Sequence, residues 1–475
     1  MKAIYETGAT TQELEVTDFY QEVSKLLAEE DLADCPKEVT VRVPEEGEVV
    51  YRIAVRSGTR FITEIDNSLP DELADMAKAR FLTCVDPAKN AYKFYKLEPK
   101  GEEVIAEYGR MGTQKGELFG ARTFAYPKRM FWIKYQEKLS KGYVDRTELY
   151  LPETVETKEL APAKAKPASK PEGPSAVLFQ KLKALAKKAV EQAEVRVPVN
   201  EAIIWASKDL LAKLYDAVSV EEFNGYLLEL ISILQRPVRT GDGTGVRRLM
   251  AASKQDFASI VHRESDLIQA MEGSIAGTAV VGRAESFDQY QIEVYEATEK
   301  QRKQVFSHLG VDLQKKVKQV YRVIPKFQQE RFNEYLKIHK IRQVKQLWHG
   351  SRNENWMSII RNSLLLNPDA KITGKMFGNG VYFAPSAAKS WNYTSYRGTY
   401  WAGGSSNVAY MGLYAVAYGT PYDTDTWSGY LDYQEEVKRS GKDCLHAHAG
   451  SALRNDEIVF YDEAAMVLNY IVEFE

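Results

Sequence analysis

The chain has 475 residues, 44% hydrophobic and 27% charged, an ordinary balance for folded protein and enough, at about 100–200 residues per domain, for three or four domains. Its formal net charge is -3, so any nucleic-acid surface has to be a local basic patch. Three widely spaced cysteines (Cys35, Cys84, Cys444) exclude a disulfide framework and a Cys-rich zinc module, and they fit a reducing, intracellular setting. No apolar run approaches the roughly 20 residues of a membrane span, and MKAIYETGATTQELEV lacks the apolar core of a secretory signal, so a membrane is not an expected partner.

Taken in chain order, residues 1–75 form an α/β segment. TDFYQEVSKLLAEEDLA reads as a helical start, and KEVTVRVPEEGEVVYRIAVRS alternates as strands do; no motif gives this segment a function. Residues 76–150 read as strands (FLTCVDPAKNAYKFYKLEP, EEVIAEYGRMG) followed by one helix in FAYPKRMFWIKYQEKLSKGY. This stretch gathers Lys115, Arg122, Lys128, Arg129, Lys134, Lys138 and Lys141 among Phe124, Tyr126, Phe131 and Trp132. Basic side chains interleaved with aromatics suit phosphates and unstacked bases; a solvated helix face is the plainer reading of the same pattern.

Residues 151–175, with ELAPAKAKPASKPEGPS, lack hydrophobic periodicity and read as a flexible linker. Residues 176–285 are expected to be all-α, since KDLLAKLYDAV and EEFNGYLLELISIL repeat apolar residues at three- and four-residue steps. The loop GDGTGV at 241–246 follows no strand and lacks phosphate-loop spacing, so it reads as a turn. Residues 286–475 are β-rich, with short Tyr-, Val- and Phe-laden runs punctuated by Gly and Pro. The helix in NENWMSIIRNSL sets Trp356, Ile359, Ile360 and Leu364 on one face. The fold class expected for the whole is multidomain α+β. HAH at 446–448 offers two imidazoles with no third ligand in sequence, and no metal is expected.

Three blocks of the last domain carry polar residues that a β core does not need: WHGS, then GKMFGNGVYFAPSAAKSWNY, then NDEIVFYD. Each alone has an ordinary structural explanation as a cap, a turn or a solvated strand start. In this order, over residues 286–475, they resemble the catalytic domain of the poly(ADP-ribose) polymerase family. That resemblance implies two packed antiparallel sheets with flanking helices, NAD+ as co-substrate, and a triad at His349, Tyr382 and Glu457. It further implies that His349 and Ser351 face the adenosine ribose and that Asn355 lies near the ribose. Gly350 and Ser390 would hold the nicotinamide carboxamide, with Tyr382 and Tyr393 stacking on its ring. Leu364 and Lys375 depart from the family pattern, which carries Arg and an aromatic there.

YGRMGTQKGE at 108–117 resembles the signature of the WGR domain, with Tyr108 in place of Trp. This small β-rich domain implies DNA contacts at Tyr108, Arg110, Lys115, Arg122, Lys128 and Arg129. The helices of 176–285 stand where the family has its regulatory helical domain, which implies autoinhibition of the catalytic cleft. The combined expectation is a poly(ADP-ribosyl)transferase activated by DNA strand breaks. It would modify protein acceptors, itself included, in the nucleus of a eukaryote or the cytoplasm and nucleoid of a bacterium. A mono-ADP-ribosyltransferase and a catalytically silent DNA-binding scaffold are the alternatives.

Overall fold

The computed structural model describes residues 1–8, 10–56, 59–74, 77–112, 120–151, 173–238, 245–277, 285–366 and 376–475. Lys115, Lys375, the expected linker up to residue 172 and most of the GDGTGV loop lie outside them. The chain divides into two compact units. The first takes residues 1–155, 195–198 and 228–250; the second takes 156–194, 199–227 and 251–475.

The first unit begins with β1 (Lys2–Thr7), β2 (Thr11–Glu15), α1 (Phe19–Glu29), β3 (Lys37–Val43), β4 (Gly47–Arg56) and β5 (Thr59–Asn67). These strands form an antiparallel sheet in the order β2-β1-β3-β4-β5. Val39, Val41, Val49, Tyr51 and Ile53 alternate onto one buried face, as the period of two demands. Phe19, Tyr20, Val23 and Leu27 of α1 belong to the same core. The hairpin β1–β2 precedes the helix, where only the helix was expected. Its outer strand, TQELE, is a polar edge strand that pairs with β1 alone and so carries no hydrophobic alternation to read.

A second antiparallel sheet follows, from β6 (Arg80–Asp86), β7 (Ala91–Lys100), β8 (Glu103–Arg110), β9 (Arg122–Pro127) and β10 (Val144–Asp145), in the order β10-β6-β7-β8-β9. Between its last two strands lies α2 (Phe131–Leu139), and α3 (Thr147–Tyr150) closes the segment. Phe131, Trp132 and Ile133 of α2 are buried in one core with the first sheet. The buried Glu137 carboxylate accepts the Ile62 N–H at 3.1 Å, tying α2 to β5.

In the second unit, α4 (Gly173–Gln192), α5 (Glu201–Asp216), the first half of α6 (Val220–Leu234) and α7 (Phe257–Ser274) make the helical layer. The β-rich part runs β11 (Ile292–Glu296), α8 (Glu299–Ser307), α9 (Val311–Gln314), β12 (Val317–Pro325), α10 (Lys326–Ile338), β13 (Val344–Gly350), α11 (Trp356–Asn362), β14 (Val381–Phe383), α12 (Ala387–Trp391) and β15 (Ala409–Ala417). It ends with β16 (Pro421–Thr424), α13 (Tyr433–Arg439), β17 (Cys444–Ala447), β18 (Glu457–Phe460) and β19 (Met466–Phe474).

Five strands pair antiparallel in the order β11-β12-β19-β15-β13, and every residue of β15 is buried. The other sheet has the order β14-β18-β17-β16. Its β16 and β17 run parallel, not antiparallel as expected, because the chain crosses over through α13 between them. Reciprocal backbone bonds between Trp348 and Ala384, both 3.0 Å, join the sheets at the end of β13. Leu347, Tyr414 and Val467 of one sheet share a core with Val381, Phe383, Ile458 and Phe460 of the other. Helix α7 comes close to α4 and α11 at Gly273, where a Cβ would lie 3.0 Å from that of Ala186 and 3.1 Å from that of Met357.

Candidate active site

The end of β13 presents Trp348, His349 and Gly350 in succession. His349 Nδ1 lies 3.0 Å from the Tyr382 carbonyl oxygen, and since a carbonyl only accepts, Nδ1 carries the proton. The ring meets Phe383 edge to face with centroids 5.7 Å apart. Gly350 tolerates no side chain, because a Cβ would stand 1.9 Å from the Ser390 carbonyl oxygen. Ser390 is buried, and its hydroxyl donates to the Trp348 carbonyl at 3.0 Å, locking α12 onto β13. Tyr382 accepts from the Phe377 N–H at 2.9 Å and donates to the Gly378 carbonyl at 3.0 Å, which pins the Gly-containing turn before β14.

Glu457 opens β18. Its carboxylate pairs with Lys389 Nζ at 2.7 Å, and both side chains are mostly buried. The same amine donates to the carbonyls of Asn455 at 2.9 Å and Asp456 at 3.2 Å, so Lys389 holds the whole approach to β18. Burial raises the Tyr382 and Tyr393 hydroxyl pKa values, and the Glu457 charge adds to the rise in both. Tyr393 lies nearly parallel to Trp401, with ring centroids 6.4 Å apart and planes 16° from parallel.

His349, Gly350, Ser351, Asn355, Tyr382, Ser390, Tyr393 and Glu457 all line one cleft of about 1490 Å³. That exceeds the roughly 300–1,000 Å³ of common small-molecule sites and leaves room for a dinucleotide. Leu364 also borders the cleft but is buried in the core.

One wall comes from the helical layer. Asn355 Nδ2 donates to Asp266 Oδ1 of α7 at 2.9 Å and to Ser351 Oγ at 3.1 Å. Arg352 Nε lies 3.3 Å from Asp266 Oδ2. Burial raises the Asp266 carboxyl pKa, against the opposing pull of Asn355 and Arg352. Six residues on, Glu272 accepts from Ser358 Oγ at 2.7 Å and from Lys208 Nζ at 2.9 Å. Burial works against its charge, yet these bonds more than offset that and leave its pKa below the usual range. Sequence reasoning missed Asp266, Glu272, Lys389 and Trp401. The readable signal for the first two was Asp266, Gln269 and Glu272, a polar stripe at steps of three among the buried apolar residues of the helix's second half.

The basic segment of residues 122–141 divides between two roles. Arg122 and Phe124 are exposed on β9, and Lys128 is half-buried beside them. Phe131 and Trp132 are core residues, not exposed partners for bases. Arg129 pairs with Glu64 at 2.8 Å and sits 3.8 Å from Asp71, so its guanidinium is engaged within the fold. Lys138 lies over the Tyr95 ring at 4.0 Å and Lys141 over the Phe61 ring at 4.5 Å. Tyr108 stacks on Tyr95. Arg110 donates to the Asn90 carbonyl at 3.1 Å and to its side-chain oxygen at 3.0 Å. No helix of the described residues is long and apolar enough to cross a membrane.

Residues 293–447 match the family model of the poly(ADP-ribose) polymerase catalytic domain, a span that stops short of Glu457, and residues 78–149 match that of the WGR domain. A protein of Invertebrate iridescent virus 6, named poly [ADP-ribose] polymerase-like 100L, is 29% identical over 167 residues, 34% of this chain and 86% of its own length. Poly [ADP-ribose] polymerase 1 of Gallus gallus is 39% identical over 88 residues, 18% of this chain. Poly [ADP-ribose] polymerase 2 of Homo sapiens is 54% identical over 48 residues, 10% of this chain. The match spans only 8% of the length of each of these two animal relatives. The chain thus carries a poly(ADP-ribose) polymerase catalytic domain, the fold of an NAD+ ADP-ribosyltransferase, with a WGR domain ahead of it.

Proposed function

We propose that the protein is a poly(ADP-ribosyl)transferase that consumes NAD+, releases nicotinamide and is switched on by DNA strand breaks. The observation that carries this reading is the convergence of His349, Tyr382 and Glu457 on one cleft, with Glu457 held by Lys389.

NAD+ brings a ribosyl bond to a neutral leaving group, so no proton donor is required and one carboxylate suffices where ordinary glycosidases use two. Gly350 leaves backbone room for the carboxamide, and the Ser390 hydroxyl, a donor to Trp348, keeps lone pairs for it. Tyr382 and Tyr393 would flank the nicotinamide ring. His349, Ser351 and Asn355 would orient the ribose hydroxyls. Glu457 would accept a hydrogen bond from the ribose 2′-hydroxyl, stabilise oxocarbenium-like charge and polarise the acceptor hydroxyl.

The helical layer supplies the switch. While Asp266 and Glu272 are bonded to Asn355 and Ser358, α7 shares the cleft with the donor site. DNA activates only if it binds better to the state in which those bonds are released. Arg122, Phe124 and Lys128 are the side chains best disposed to meet DNA, which implies residence wherever the genome is. Protein acceptors, this chain included, follow from the same reading.

Incubation with labelled NAD+, with and without nicked DNA, tests it. A polymer ladder only with DNA is the expected result. Single-unit labelling would instead make the protein a mono-ADP-ribosyltransferase, and no labelling in either condition would make it a silent scaffold.

A further inference from the structure

The parallel pairing of β16 with β17 sets Asp423 opposite His446, and the strand alternation turns His448 to the same side as His446. The two imidazole rings lie with centroids 4.0 Å apart. On one side of the pair, Asp423 Oδ1 stands 2.7 Å from His448 Nε2 and 3.9 Å from His446 Nδ1. On the other side, Asp456 Oδ2 stands 3.1 Å from His446 Nε2 and 3.6 Å from His448 Nδ1. Asp456 is itself fixed, since its Oδ1 accepts the Ala449 N–H at 2.8 Å.

A carboxylate only accepts, so Asp456 at 3.1 Å favours a proton on His446 Nε2, and Asp423 at 2.7 Å favours one on His448 Nε2 while the site is empty. That leaves the His446 Nδ1 lone pair on the Asp423 side, and the His448 Nε2 proton would leave as an ion binds. For His446 this is the arrangement of a carboxylate–histidine–metal relay, in which an outer carboxylate sets the tautomer and orientation of the ligating ring.

We propose that Asp423, His446 and His448 bind one divalent transition-metal ion, Zn2+ by the character of the donors, with Asp456 as the orienting carboxylate. Their donor atoms all lie within 4.8 Å of one another. Tetrahedral zinc with bonds of about 2.0–2.2 Å sets its donors roughly 3.2–3.6 Å apart, and the distances from Asp423 to the two nitrogens bracket that spacing. Tyr418 donates to His446 Nδ1 at 2.7 Å and is the contact that the ion would displace. Asp423 and His448 are open to solvent, so the ion would enter from outside and keep a water as its fourth ligand. Asp456 directly precedes Glu457, and its carbonyl receives Lys389 at 3.2 Å, so occupancy would tighten the strand start that carries the active-site carboxylate.

The untagged full chain, stripped with chelator and titrated with Co2+ and then Zn2+, tests the site. One Co2+ per chain with the visible absorption of a tetrahedral site, displaced by Zn2+, is expected. The solvent-side variants His448→Gln and Asp423→Asn should each weaken binding at least about ten-fold, and Asp456→Asn by about 10–100-fold. No one-to-one binding would overturn the proposal. So would binding that His448→Gln and Asp423→Asn leave unchanged in variants with the parent's circular dichroism. Neither titration reads ADP-ribosyl transfer, so the outcome is independent of the function proposed above.

Discussion

Replacing Asp266 by Ala removes the group that ties α7 to the donor wall. The loss comprises the bond from Asn355 at 2.9 Å and the ion pair with Arg352 at 3.3 Å. A hydrogen bond to a charged group contributes about 1.5–3 kcal/mol. The Arg352 pair is partly open to solvent at 3.3 Å and adds less. With a factor of ten for each 1.4 kcal/mol or so, the closed-to-open ratio should fall by about 10- to 150-fold. The assay is incorporation of labelled ADP-ribose without DNA, beside the rate at saturating nicked DNA. The DNA-free rate should rise toward the DNA-saturated one, which should itself stay near the parent's, so the stimulation ratio shrinks. A folded Asp266→Ala protein with the parent's DNA-free rate would refute the idea that this contact restrains the cleft.

Gly350→Ala forces a Cβ onto the Ser390 carbonyl, an overpacking that costs about 1–3 kcal/mol; thermal unfolding should shift down and calorimetric NAD+ affinity should fall. Glu457→Gln should keep melting temperature and NAD+ binding but lose polymer elongation on gels, since Lys389 retains its two carbonyl acceptors. Paired Arg122→Ala and Phe124→Ala should weaken binding to nicked DNA and flatten its salt dependence without lowering the melting temperature; Arg129→Ala should instead destabilise the first unit through loss of Glu64, read by thermal unfolding. Burial lowers the Lys138 pKa to about 8, so the unfolded chain binds the proton more tightly than the fold does. Stability should therefore climb as pH rises from about 8 toward the ordinary lysine range, and Lys138→Met should remove that slope in denaturant titrations.

The cleft wall that WHGS, KSWNY and Glu457 form was legible early because its residues are clustered locally. WHGS lies on one strand end, KSWNY on one short helix with the turn after it, and Glu457 on the strand start that NDEIVFYD announces. Alternation likewise disclosed β3 and β4, where one face is buried, and helical spacing disclosed α5 and α6. The polar edge strand β2 left no such trace, and the parallel β16–β17 pair depended on a crossover that periodicity does not report.

What the sequence determined by itself was which residue types stand in which order, and the resemblance of that order to a known family is what suggested an NAD+ cleft. Tertiary structure alone decided who their partners are. It gave Glu457 to Lys389, Asn355 to Asp266 and Arg129 to Glu64, and it brought Asp423 to the two histidines. Each of these pairs joins residues far apart in the chain, whose meeting depends on sheet order and helix packing. Short-range spacing carries no trace of those, because it records only the neighbours a residue has along its own element.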